Sequence, residues 1–448
     1  MAEKISINTP LQFSDPLPES VDIAIIGAGI VGVFAALYLA RAGKKVCLLE
    51  KGRISGEQSS RNWGWIRQHE RDEAEVPLAM DALKLWKQAD DDTGGATGFR
   101  ISSINYLASS EKELKNLEGW MQIAEKYGVK SRRLTRKDIS ECFSGQSNEQ
   151  WLGGTTTIDD ARAEPWQAGP AIAKLAHEEG AIILEDCAAR KLELTAGKIT
   201  GLHTEKGLVK CEQVLLAAGA WSRLFAANHG IDFPQLSLSL TALQTEPMVD
   251  FTTANSVDEE FAIRLREDGG YTLAVCDGND FFIGPDAFRS FFKYLPLLKE
   301  SWNHTFLSPW APKDYPDAWT TRRHWSANEM SPFERCRLLE PAPNMKYVRK
   351  ALSGFEKRFP DLPKPVLKTA WAGMVDAMPD VVPIIDRVEK IPGLVVATGF
   401  SGHGFGIAPG AAMVIKDLMI GETPKHNISR FRFSRFSDGS KLVLGPAL

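Results

Sequence analysis

The chain has little that would suggest a covalent staple, a metal centre or a membrane anchor. Its six cysteines, Cys47, Cys142, Cys187, Cys211, Cys276 and Cys336, are widely scattered and form no C-x-x-C pair. That argues against a disulfide framework and against a zinc site, so reduced thiols in a cytoplasm and no bound metal are the expectation. The first twenty residues lack the apolar run of a signal peptide, and no later stretch is long enough to cross a bilayer. There is no internal repeat and no surplus of positive charge: a formal net charge of -4 argues against nucleic acid as the main partner. What is present is ordinary for a soluble globular protein, 44% hydrophobic and 25% charged residues. The length of 448 residues points to two domains of roughly 200 residues each.

The most informative stretch is VDIAIIGAGIVGVFAALYLARAGKKVCLLEKG, starting at Val21. Residues 23 to 26 read as a buried strand, Gly27, Gly29 and Gly32 as G-x-G-x-x-G, residues 30 to 42 as a helix opening on Ile30 and Val31, and KVCLLE as a second strand. Such glycines allow a tight turn and close approach of backbone to a pyrophosphate on the positive end of the helix. Glu50, at the end of the second strand and followed by Lys51, is placed to accept hydrogen bonds from both hydroxyls of an adenosine ribose. An acid there disfavours a 2′-phosphate, which leaves FAD or NAD.

The next segment separates the two. An NAD enzyme would return to βα units, whereas this chain runs into SSRNWGWIRQ, residues 59 to 68. Burying Arg61, Asn62, Arg67 and Gln68 is costly without partners, and leaving Trp63 and Trp65 in water wastes apolar area. A flat, polar ligand resolves the conflict; a surface loop pinned by its tryptophans is the plainer alternative. Ser59, Ser60, Arg61, Asn62, Trp63, Gly64 and Trp65 are therefore candidates to run along the ribityl chain and ring of a flavin. Residues 180 to 222 read as short strands that include Ala188 and end in an apolar strand, with Ala218 and Gly219 letting backbone come close and Trp221 beside them. Residues 392 to 422 read as a buried strand, a turn with Gly402 and His403, and a helix through Gly404, Phe405, Gly406 and Ile407 with Pro409 in its first turn. That helix end suits the negative charge of a reduced flavin. His403 is read equally well as satisfied by its own turn or as taking part in the chemistry.

With these motifs in place, IIGAGIVG and Glu50, SSRNWGWIRQ, LLAAGAWS, AWAGMVDAMPDVVPIID with Gly373, and GFSGHGFGIAPG, the chain resembles the D-amino acid oxidase superfamily of FAD-dependent oxidoreductases. The likeness is to the branch of glycine oxidase, monomeric sarcosine oxidase and D-amino acid dehydrogenase, with iminodiacetate oxidase one member of this type that it admits, and it covers nearly the whole chain. It implies a mixed α/β fold in which a Rossmann-like FAD-binding domain (20–95, 155–225 and 366–425) is interleaved with a substrate domain on an antiparallel sheet (96–154 and 226–365). Residues 426–448 would be a closing segment, and FAIRLREDGGYTLAVCDG two strands joined by a D-G-G turn. The implied chemistry is oxidation of a C–N bond by hydride transfer to flavin N5, the imine then hydrolysing in water.

Two departures bear on the substrate. Sarcosine oxidases carry a lysine after HGF, where this chain has Gly406; glycine oxidase carries an arginine where this chain has Val375 followed by Asp376. Another cation must then hold any substrate carboxylate, and Arg67 is the first choice, followed by Arg264, Arg266, Arg322 and Arg323, each of which is also read as a salt-bridged arginine. Tyr271 is a candidate to close over the substrate or an ordinary sheet tyrosine, His324 is unassigned, and Asp376 is a candidate for a cationic amine. No cysteine aligns with a covalent flavin attachment, so non-covalent FAD is expected. The leading reading is an oxidase or dehydrogenase of a small amino acid or secondary amine, with oxygen or another compound as electron acceptor. The alternatives are a flavin subunit that works with a partner protein and a non-catalytic FAD-binding protein.

Overall fold

The computed structural model describes residues 4–147, 150–301 and 304–446. The elements that build the site are, in chain order, β1 (Ile23–Ile26), α1 (Ile30–Arg41), β2 (Val46–Leu49), β3 (Trp65–Ile66), α2 (Val76–Asp92), β4 (Ile104–Ala108), β5 (Leu236–Thr245), β6 (Phe261–Leu265), β7 (Tyr271–Val275), β8 (Leu367–Ala377) and α3 (Gly404–Ile420).

Four-residue apolar runs such as IAII and VCLL have no polar face, so both sides of their sheet must be covered. β1 and β2 lie in a six-stranded sheet between strands Gln213–Leu216 and Ile182–Leu184, all parallel, with Leu394–Thr398 and an antiparallel edge strand Ile384–Arg387 beyond. Alternation divides the side chains: Ile23, Ile25, Val46 and Leu48 enter a core with α1 and α3, while Ala24, Ile26, Cys47 and Leu49 enter a second core with the antiparallel meander of residues 189–210. α1 is apolar almost all round and accordingly buried through Leu39. It packs on α3, which packs in turn on α2.

A second, ten-stranded sheet contains β5, β6, β7 and β4. β6 and β7 pair antiparallel on either side of the D-G-G turn, the hairpin expected from that turn. The long pairing in this sheet is β5 with β8, in register from Leu236 opposite Ala377 to Ala242 opposite Trp371. The expected partition placed residue 366 onward, and 155 onward, with the nucleotide-binding layer. Instead β8, and the strand Gly153–Thr157 beside β4, hydrogen-bond into this second sheet, because their backbone partners are β5 and β4. α3 also begins earlier than the proline suggests: the helix starts at Gly404 and Pro409 lies inside it, in the second turn. In the tail, Phe431 is fully buried and the Arg435 guanidinium donates to Asp380, so the segment packs onto the edge of the six-stranded sheet. Among the described residues no helix is long and apolar enough to cross a membrane.

Candidate functional site

A cavity of about 420 Å³ runs from the C-terminal ends of β1 and β2 to the second sheet. At the first end, Gly27 has a left-handed φ of 99°, and a Cβ there would meet the Ala217 carbonyl oxygen at 2.6 Å, so only glycine lets the strands close this turn. A Cβ on Gly32 would overlap the Gly27 carbonyl, which is why that glycine lies behind the wall rather than in it. Gly29, Ile30 and Val31 line the cavity with Glu50 and Lys51. The Glu50 carboxylate accepts from the Ala28 and Gly52 amides at 2.9 and 2.8 Å; burial pushes its pKa up to about 7 against the opposing Lys51 charge and these two amides. Lys51 donates to Glu57 at 2.6 Å and to the Cys336 carbonyl at 2.7 Å, and Trp221 donates to Glu57 at 2.9 Å.

The tryptophan-rich loop forms the middle of the wall. Ser59 Oγ accepts from the Ile30 amide at 2.8 Å, tying the loop to the start of α1. Asn62 braces the turn from inside, donating to the Ser59 carbonyl at 2.7 Å and accepting from the Gly64 amide at 2.7 Å. Trp63 and Trp65 meet edge to face at 5.1 Å, and both line the cavity; the Trp65 Nε1 is buried without a hydrogen-bond partner. Arg61 lines it too, with its guanidinium turned to the Ile5 carbonyl at 2.7 Å, and Gly373 of β8 is bare where Arg61 crosses it. Ala218 and Gly219 complete this stretch. Ser60, Gly64, Ala188, Gly406 and Ile407 stand behind the cavity wall rather than in it.

At the far end, Arg67 Nη1 donates to the carbonyls of His69 and Glu70 at 2.7 and 2.9 Å and to Tyr106 Oη at 2.6 Å. Its Nε and Nη2 have no partner among the described residues. Gly402, His403, Gly404 and Phe405 bring the start of α3 to the same place. His403 Nδ1 lies 2.9 Å from Glu75 Oε2 while its Nε2 is buried and unpartnered. Burial lowers the His403 pKa to about 4, against the pull of Glu75, so the ring is neutral near pH 7, donating from Nδ1 to the carboxylate. For Glu75 burial is outweighed by His403, Arg71 and Arg67, and its pKa is lowered. Arg71, also in the wall, has a buried Nη1 with no partner.

Several expected substrate residues lie elsewhere. Tyr271 points into the core on the other face of its strand, its hydroxyl bonded to the Val249 carbonyl and the Phe251 amide at 3.3 Å each. Arg264 is locked in a buried ion pair with Glu164 at 2.8 Å, and Arg266 lies 4.6 Å over the Trp166 ring beside the same carboxylate. Arg323 is held by Asp286 at 2.9 Å, and Arg322 is exposed and bonded to Glu329 at 2.7 Å and to the His324 carbonyl at 2.7 Å. None of these, nor His324, lines the cavity. Asp376 does line it, but its carboxylate accepts from the Gly399 amide at 2.7 Å and from Thr398, and so positions the glycine turn rather than facing a ligand alone. Glu70, Arg71, Glu75 and Tyr106 were not singled out from the sequence. Arg71 and Glu75 follow the loop in a charged run that carries no motif, and Tyr106 belongs to a separate strand.

A glycine cradle at a strand–helix turn, an acid at the end of the next strand, and four buried polar atoms of the lining without a partner among the described residues (Ser55 Oγ, Trp65 Nε1, Arg71 Nη1, His403 Nε2) fit an elongated dinucleotide with a flat polar ring. This defines a dinucleotide-binding redox fold. The family model for FAD dependent oxidoreductases (DAO) matches residues 22–418, and the chain belongs to that family, with FAD as its cofactor. Human peroxisomal sarcosine oxidase is 23% identical over 428 residues, covering 94% of this chain and 98% of that protein. The 4-methylaminobutanoate oxidase (formaldehyde-forming) of Paenarthrobacter nicotinovorans is 28% identical over 223 residues, but this chain spans only 27% of its length. Among solved structures, an L-amino acid deaminase from Proteus myxofaciens bound to anthranilate superposes with a TM-score of 0.91 at 27% identity, covering 98% of both chains.

Proposed function

We propose that this chain oxidises the C–N bond of a small amino acid or secondary amine such as an N-substituted glycine, with Arg67 holding the substrate carboxylate. The observation that carries the reading is the placement of Arg67: a cation in the wall of the FAD cavity, at the end opposite the glycine cradle, with Nε and Nη2 uncommitted. FAD, when bound, would supply the hydride acceptor. The chain's own part is to position and desolvate the substrate. Trp63 and Trp65 give the cavity an aromatic wall that excludes water, and neutral His403 at the start of α3 holds an acceptor there without adding a charge to those of Arg67 and Arg71. The relatives' names, sarcosine oxidase and L-amino acid deaminase, agree with a carboxylate-bearing amine.

Anaerobic titration of the yellow holoprotein with D- and L-amino acids, sarcosine, iminodiacetate, prolines and polyamines tests this directly. Bleaching of the flavin by an amine that carries a carboxylate supports the reading, and no bleaching by any of them overturns it. Readmitted air then separates oxidase from dehydrogenase. Arg67→Met is expected to raise KM for the active substrate about tenfold to a hundredfold, the value of a charged hydrogen bond, while FAD content is unchanged. An unchanged KM would assign Arg67 to the fold.

A further inference from the structure

We propose that Glu70 recognises the amine nitrogen of the substrate, opposite an Arg67–Tyr106 pair that takes its carboxylate, so that this end of the cavity selects a molecule carrying both groups. The proposal rests on the C–N oxidation reading and adds to it a residue and a selection rule.

Among the described residues four carboxylates line the cavity, and three are spent. Glu50 accepts from two backbone amides, Glu57 from Lys51, Trp221 and the Leu339 amide, and Asp376 from Gly399 and Thr398. Glu70 has no side-chain hydrogen bond among the described residues. It is also held in an unusual way: its φ is 50°, left-handed for a residue with a side chain, and Arg67 Nη1 grips its carbonyl and that of His69. The guanidinium therefore fixes the reversal that brings Glu70 into the wall, and cation and carboxylate are presented from one short turn. Burial raises the Glu70 pKa to about 6 against the pull of Arg67, which leaves it ionised at neutral pH.

Tyr106 supplies the second donor. Its Oη accepts from Arg67, so its own hydrogen is free, and burial keeps the phenol protonated by raising its pKa to about 12. His69 stacks on it at 4.4 Å and is itself anchored by Thr155 and Thr157 at 2.9 and 3.0 Å, which fixes the ring. Leu240, Ala242, Val257 and Val375 are among the apolar residues of the cavity wall. A site with a fixed cation and a carboxylate carried on the same fixed turn penalises a ligand that satisfies just one of them, since the other is then left desolvated and without a ligand partner.

The test uses holoprotein under anaerobic conditions, with acetate and methylammonium as probes for the two halves and the flavin absorbance shift as readout. Glu70→Gln is expected to weaken methylammonium about tenfold or more and to leave acetate unchanged or tighter; Tyr106→Phe, which leaves the Arg67 grip on the turn in place, is expected to weaken acetate and not methylammonium. Glu70→Asp, which keeps the charge at shorter reach, should fall between wild type and Gln, and it stands in if the Gln variant loses FAD. Methylammonium affinity unchanged in both Glu70 variants overturns the proposal. If an amino acid still bleaches the flavin in that case, the oxidoreductase reading survives; if the probes sort as expected but no amine bleaches it, the oxidation reading fails instead.

Discussion

Asp160 shows how a single buried group sets a pH limit. It lies beneath the tryptophan loop, fully buried, accepting from the Gln68 amide at 2.7 Å while its Oδ2 has no partner. Burial raises its pKa from 3.8 to about 7 despite the bonds from Gln68. The folded protein thus binds this proton more tightly than the unfolded chain, so the associated stability is complete below about pH 4 and is lost as pH rises through about 7. Asp160→Asn removes the charge and keeps the shape. Melting curves of the holoprotein at pH 5 and pH 8 are expected to differ less in the variant, which should be the more stable form at pH 8 by about 1–3 kcal/mol. A wild-type-like pH profile in Asp160→Asn would refute this. At the same scale, the place of Arg67 in the cavity wall was legible in the sequence because it stands in a stretch whose mixed composition demands a ligand. Tyr271, Arg264 and Arg266 misled because strand alternation shows that residues have two faces without showing which face meets the cavity.

At the scale of elements, local patterns read well and distant pairings do not. The strand–glycine–helix–strand unit of residues 23–50 is determined by neighbours in sequence: apolar runs that must be covered, glycines where backbone crosses backbone, an acid at the strand's end. The partnership of β8 with β5, and the bond from His403 to Glu75, join segments more than a hundred residues apart, and no periodicity encodes either. The tight helix–turn contact gives the prediction for this level. Gly32→Ala forces a methyl group against the Gly27 carbonyl, which has no room to yield because the Gly27 amide is itself bonded to Leu49 at 2.9 Å. The expected cost is about 1–3 kcal/mol of stability together with a displaced first turn of α1. Purified Gly32→Ala should therefore carry a lower flavin-to-protein ratio at 450 nm than wild type, whereas full flavin content would show that α1 can shift without disturbing the cradle.

At the scale of the molecule, the cavity is where the two sheets meet, and its wall draws on residues from Ile26 to Pro446. No single segment closes it. The Arg337 and Leu338 segment crosses Gly52 and Gly56 with no space for a side chain on either, so residues more than 280 positions apart are clasped beside the adenosine end of the proposed site. Meanwhile Trp65 Nε1, Arg71 Nη1 and His403 Nε2 are buried without partners among the described residues, a cost that a bound polar ring would relieve. A ligand that satisfies groups from several segments at once and binds the folded state alone stabilises the whole, by about 2.7 kcal/mol when present at a hundred times its dissociation constant. Protein stripped of flavin is expected to melt several degrees lower than holoprotein in one cooperative transition, and added FAD should restore the melting temperature. FMN should restore less of it, because it lacks the adenosine that would reach Glu50. Equal rescue by the two flavins would show that the Glu50 end contributes nothing to binding, and the assignment of that carboxylate to the ribose would then fall.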